Sequence, residues 1–197
     1  MAATLQNNLK PEKYIVTDYN PTQTTPFSVR EKILARVWNL VWLVFYRPTP
    51  WFMYRYRVFL LNLFGAKVSS TAHPSNSARI EYPWRLTMKH QASIGDRSWI
   101  YCLDEIFIGE NSCIGQGCQL ITGSHNYKSK EFELIKHPIV IGNGCWLTSD
   151  VTVLMGIQID DYAVIGTRSL VTKSIPKNKV AFGNPAKIHS DRYRNLQ

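Results

Sequence analysis

The sequence has no long hydrophobic run. Its longest near-apolar stretch, 37–46, is interrupted by Asn39 and bounded by Arg36 and Arg47. Ten helical residues rise about 15 Å against a hydrocarbon core of about 30 Å, so this stretch is too short to span a bilayer. Cysteine is scarce: Cys102, Cys113, Cys118 and Cys145 form neither a CxxC pair nor a zinc-ligand spacing. They read as reduced, small hydrophobic residues, and no metal is expected. The first sixteen residues lack the charged and then apolar segments of a secretory leader, so a cytoplasmic chain is expected. Acidic residues are few, 14 against 23 Lys and Arg, giving a formal net charge of +9. That excess points to an anionic partner, whether nucleic acid, a membrane surface or a phosphorylated small molecule. With 45% hydrophobic and 19% charged residues, most of the chain is not intrinsically disordered.

The sequence changes character near Gly65. Before it, Ile33, Val37, Leu40, Val41, Val44 and Phe45 recur at helical spacing, which predicts an amphipathic helix over 30–46. Ser28 with Glu31 three residues on reads as a capping box, and Pro48 and Pro50 end the helix. A second helix is expected over 51–64, with Phe52, Tyr56, Phe59, Leu60 and Leu63 on one side. Residues 1–27 read as an irregular arm. Between 30 and 67 there are seven basic residues and one acid, Glu31. Such a helix pair, carrying Trp38, Trp42 and Trp51, suits the anionic inner face of a membrane. The plainer expectation is that its apolar face caps the neighbouring domain or a subunit.

After Gly65 the period is six. Ile141, Leu147, Val153, Ile159, Ile165 and Val171 are first positions of consecutive hexads, and Cys145, Val151, Ile157, Ala163, Ser169 and Ile175 are the fifth. An earlier block keeps the frame through Ile94, Ile100, Ile108, Ile114 and Leu120, with two extra residues around 103–105. Residues 68–93 carry a degraded version, through Val68, Ile80 and Met88. A helix turning every 3.6 residues cannot hold a stripe of period six, and a plain strand has no reason to mark every third inward residue. Short strands separated by bends and stacked as a parallel solenoid do both. From Leu120 to Ile141 the step is 21 residues, leaving an excursion over 123–138 with His125 at its base. Loops of this length in compact domains are usually functional or disordered.

The stretch ITGSHNY (121–127), the excursion, and then the run 137–188 with its V-T-K-x-I-P and G-N-P-A-K segments resemble the hexapeptide-repeat acyltransferases. Within them the chain is similar to the maltose/galactoside/nodulation acetyltransferase group and, through its aromatic N-terminal part and YPWRL (82–86), to the colanic acid biosynthesis acetyltransferases. The resemblance implies an all-β left-handed parallel β-helix with an N-terminal helical segment and an inserted active-site loop. It divides the chain into an arm with amphipathic helices (1–64), an acyltransferase β-helix (65–190) and a tail (191–197). A homotrimer is implied, with acetyl-CoA as co-substrate in grooves between neighbouring subunits and a carbohydrate acceptor.

By this resemblance His125 is the general base, an imidazole that takes the proton of a sugar hydroxyl as it attacks a thioester. Ser149 and Trp146 are implied to line the CoA groove, Thr167 to meet the pantetheine arm, Thr172 and Lys173 to lie near the adenine and its phosphates, and Lys187 to meet a phosphate. Seven basic residues over 168–197 against Asp191 alone then serve CoA, without nucleic acid. Arg168 stands where the family has a small residue, and the asparagine and N-terminal aspartate used on the acceptor side of the sugar enzymes have no clear counterpart. The expected function is O-acetylation of a sugar of a surface polysaccharide or its lipid- or nucleotide-linked precursor. Three other readings are a non-catalytic solenoid, a β-helix metal hydrolase, whose histidine cluster the sequence lacks, and a nucleic-acid binder, for which no reading module is present.

Overall fold

The computed structural model describes residues 27–193. Most of the expected N-terminal arm lies outside those residues, as does Arg194 of the basic C-terminal run. From Lys67 onward the chain winds as a parallel β-solenoid of about six turns, built on three sheets. Hexad first positions stack in register on each face. Val68, Met88, Ile108, Ile141 and Ile159 form the first column. Pro74, Ile94, Ile114, Leu147, Ile165 and Ala181 form the second. Ile80, Ile100, Leu120, Val153 and Val171 form the third. Apart from Pro74 and Val68, these side chains are almost wholly inaccessible.

The frame is more complete than its periodicity indicates. Residues 68–93 are not degraded: Val68, Pro74 and Ile80 make a full coil. Pro74 hides the repeat because proline is a poor strand residue, yet it sits on the edge strand of its sheet, where no ladder N–H is needed. The extra residues at 82–85 and 102–105 and the long excursion all fall at one corner, where the third face turns into the first face of the next coil. Lengthening that turn leaves the register within every face intact.

Each hexad position has its own physical requirement. Fifth positions, from Ala72 and Ala78 through Cys118 and Cys145 to Ser169, are buried as expected. The bend itself falls on the fourth position, where Gln91, Arg97, Asn111, Asp150, Tyr162 and Arg168 all have φ between 56° and 61°. Second-position glycines answer a different demand, since a Cβ on Gly109 would lie 2.4 Å from the Gly142 carbonyl oxygen of the next coil. Cys113 departs from the reading of four packed thiols. It precedes the inward Ile114, so the alternation of the strand turns it outward. Burial pushes the Cys118 thiol up to about 11 and raises Cys102 and Cys145 as well.

The helices close the open end of the solenoid. Helix α1 (Val29–Val41) starts with the expected capping box, the Glu31 N–H donating to Ser28 Oγ at 3.2 Å and the Ser28 N–H to the Glu31 carboxylate at 3.1 Å. It passes into a π-helical turn at Trp42–Tyr46, and α2 covers Tyr54–Leu63. The buried face of α1 is not the expected one. Ile33, Val37, Leu40, Val44 and Phe45 are exposed, whereas Trp38, Trp42 and Tyr46 are buried. The reason is the edge they cover. Trp38 Nε1 donates to the Ile80 carbonyl at 2.6 Å, Trp42 Nε1 to Ala78 at 2.9 Å and the Tyr46 hydroxyl to Ser75 at 3.0 Å. An aliphatic face has no donor for these strand-edge carbonyls. Helix α2 behaves likewise, burying Arg57, Val58, Leu60 and Leu61 and leaving Phe59 and Leu63 exposed, with Phe52 exposed just before it. Arg57 Nε donates to the Pro74 carbonyl at 2.8 Å, and the Asn62 amide accepts from Val68 N–H and donates to its carbonyl. Each face thus has its own cap, and one continuous hydrophobic core runs from Trp38 to Ala181.

Candidate active site

The excursion is a two-stranded antiparallel hairpin, Gly123–His125 against Leu134–Lys136. Its base is fastened to the coils on both sides. The buried Thr122 hydroxyl donates to the Tyr101 carbonyl at 2.7 Å and accepts from the Asp104 N–H at 2.9 Å. The His137 N–H donates to the Thr122 carbonyl and the Gly156 N–H to Pro138. Gly123 is pressed against Leu103, whose Cδ1 would lie 2.4 Å from an added Cβ.

His125 projects from this base with its ring exposed. Nδ1 lies 2.8 Å from the Phe132 carbonyl oxygen. A carbonyl only accepts, so that nitrogen carries the hydrogen and Nε2 of the neutral ring keeps its lone pair. The Phe132 ring stacks on the imidazole, centroids 4.4 Å apart and planes within 7°. Phe132 itself has φ 47°, uncommon for a bulky residue. Both ring and carbonyl of one residue thus fix the imidazole, with Nε2 on the side of the ring away from that carbonyl. Phe132 was not singled out by the sequence, because nothing in a hexad pattern marks a loop carbonyl.

The other six expected site residues fall in separate places. Thr172 and Lys173 are exposed at the corner that bears the His125 hairpin, further along the solenoid. Ser149 and Thr167 stand at the preceding corner, at third hexad positions, with the Arg168 N–H donating to the Ser149 carbonyl at 3.0 Å. Trp146 points outward from the second face, half exposed, between Cys113 and Val164 in register. Lys187 opens the terminal strand Lys187–Asp191, antiparallel to Lys179–Phe182. Across the described residues no hydrogen bond or ring contact joins His125 to any of these six, so a single chain does not gather them into one cluster.

Of the basic C-terminal residues, some already have partners. Lys179 pairs with Asp191, and Arg192 donates to the Gly144 carbonyl at 2.6 Å. Arg168 stands 3.8 Å from the Asp150 carboxylate, both well exposed. Lys173 and Lys187 take part in no ion pair among the described residues.

The column of third positions that contains Thr167 and Ser149 continues through Gln116, Asp96 and Asn76. These last three line a cavity of about 270 Å³ together with Trp51, Tyr54 and His73. The Ser75 and Ser77 hydroxyls donate to the Asp96 carboxylate and hold it below the usual carboxylate range. The signal that finds this cavity is simple: follow the Ser149–Thr167 column one coil at a time toward the N-terminus.

No family model matches the chain. It is 44% identical over 160 residues to the Putative colanic acid biosynthesis acetyltransferase WcaF of Escherichia coli K12, spanning 81% of this chain and 88% of that one. Among solved structures it is similar to a hexapeptide-repeat-containing acetyltransferase of Vibrio cholerae complexed with acetyl coenzyme A. That match has a TM-score of 0.76 and 22% identity, covering 87% of this chain and 94% of the other. A galactoside acetyltransferase in complex with coenzyme A matches with a TM-score of 0.77 at 24% identity, covering 86% of each.

Proposed function

Because this chain belongs to the hexapeptide-repeat acetyltransferases, we propose that it moves an acetyl group from acetyl-CoA to a hydroxyl of a sugar, in a surface polysaccharide or its lipid- or nucleotide-linked precursor. The observation that carries this reading is the Nδ1 contact of the exposed His125 to the Phe132 carbonyl, which leaves the lone pair on Nε2. His125 takes the proton of the acceptor hydroxyl as that oxygen attacks the thioester carbonyl, and the imidazolium returns it to the departing sulfur. Backbone N–H groups of a coil turn are the donors for the oxyanion. The cavity lined by Asp96, Gln116 and Asn76 offers the acceptor a polar seat with Trp51 and Tyr54 at hand for a sugar ring. Incubation with acetyl-CoA and a panel of activated sugars tests the reading. Acetylated product supports it, and failure to bind acetyl-CoA at all would leave a non-catalytic solenoid.

His125 stands at one corner, and Ser149 and Thr167 at the preceding one, so the shared site is assigned to neighbouring copies in a homotrimer. The chain then divides into an N-terminal part (1–64), whose described helices cap the solenoid, a catalytic solenoid (65–190) and a short tail (191–197). Light scattering should give three times the 22.7 kDa chain mass. A monomeric mass at micromolar concentration would remove the shared site.

Lys173 and Lys187 are assigned to the CoA phosphates, with Thr172 beside Lys173 and Trp146 as a wall of the groove. Lys187→Ala should raise the CoA dissociation constant roughly two- to fivefold at low salt, the range of an exposed charge pair. The difference should shrink as salt screens it. Titration calorimetry at two ionic strengths checks this, and an unchanged constant would place Lys187 in a solvated tail.

A further inference from the structure

Helix α1 carries two apolar faces. Trp38 and Trp42 face the solenoid, while Val29, Ile33, Val37 and Leu40 form a second stripe, all of it exposed. At 3.6 residues per turn this stripe is centred about 160° around the helix from the two tryptophans. A helix that buries one side against its own fold needs no aliphatic residue on the other. The flanks of the stripe are basic, with Arg30 beyond one edge and Arg36 and Lys32 beyond the other, all exposed. The one acid between residues 28 and 67, Glu31, lies on the inner side, bonded to Ser28 and paired with Arg85 at 2.5 Å. Trp51, 83% exposed, and Phe52 follow on the connection to α2.

We propose that this outer face of α1 lies on an anionic lipid surface, with Val29, Ile33, Val37 and Leu40 entering the acyl boundary and Arg30, Lys32 and Arg36 meeting lipid phosphates. The pattern is that of an interfacial helix: an aliphatic stripe between basic flanks whose long side chains reach the headgroups. Charge decides against a second copy seated symmetrically on the same face, since Arg30, Lys32 and Arg36 of both copies would meet and the one acid among the described residues of α1, Glu31, lies on the inner side. No helix among the described residues is long and apolar enough to cross a membrane, so the contact is peripheral. The inference does not depend on the acetyl-transfer reading.

Flotation of the full chain with vesicles tests it. Binding to phosphatidylcholine vesicles containing phosphatidylglycerol should be roughly 10²-fold stronger than to phosphatidylcholine alone, and should fall with added salt. The double substitution Val37→Glu with Leu40→Glu should abolish it. Both positions are exposed, so the fold should persist by circular dichroism. Arg30→Glu with Arg36→Glu, which leaves the stripe intact, should also abolish it. A wild-type chain that stays off anionic vesicles would overturn the proposal, giving the face to residues 1–26 or to another copy. So would equal binding to both vesicle types, or binding unchanged in both variants. A change of assembled mass on Val37→Glu with Leu40→Glu would show that the stripe belongs to a subunit interface instead, and would also overturn it.

Discussion

Replacing His125 by alanine should lower kcat roughly 10²–10⁴-fold, the range for loss of a positioned general base. Acetyl-CoA affinity and thermal stability should stay near wild type. The imidazole is exposed, its hydrogen bond goes to a carbonyl of its own hairpin, and its removal opens no cavity between coils. Retention of half the wild-type turnover by a folded variant would remove His125 from the chemistry.

Truncating Trp38 to alanine should destabilise the chain by about 3–5 kcal/mol, the range for a buried large-to-small change. The side chain is wholly inaccessible, lies 5.0 Å from the Phe64 ring centroid and donates to Ile80. Trp38→Phe separates the two contributions. It keeps an aromatic ring in place but orphans the Ile80 carbonyl, and should cost about 1–3 kcal/mol. Urea unfolding of both variants checks the pair. A cost below about 1 kcal/mol for Trp38→Ala would mean that the solenoid edge is closed by something else.

What could be read from the sequence divides along physical lines. The solenoid was legible because one period repeats wherever a first-position side chain must point inward, and only Pro74 concealed a coil. The place of the His125 hairpin was legible for the same reason, as the one large interruption between Leu120 and Ile141. The orientation of α1 was not. Amphipathic spacing finds apolar faces but cannot say which is buried when a helix has two, and the outcome turned on the carbonyls of Ser75, Ala78 and Ile80, which need donors. The positioning of His125 by Phe132 was equally out of reach, because it depends on a loop carbonyl and an unusual φ. Handedness came only from the resemblance, since a period of six is the same for either hand.

The stacked frame also makes the molecule a ruler. Each coil adds one rung of about 4.8 Å, the spacing of neighbouring strands. Two complete coils, those of Val68 and Met88, come before the coil whose third face leads into the hairpin. The height of the His125 imidazole above the helical end is therefore counted in whole rungs. Gaining or losing one coil would move His125 by one rung while leaving every inward column in register. Reach toward an acceptor is in this architecture an integer, set by how many times the chain goes round.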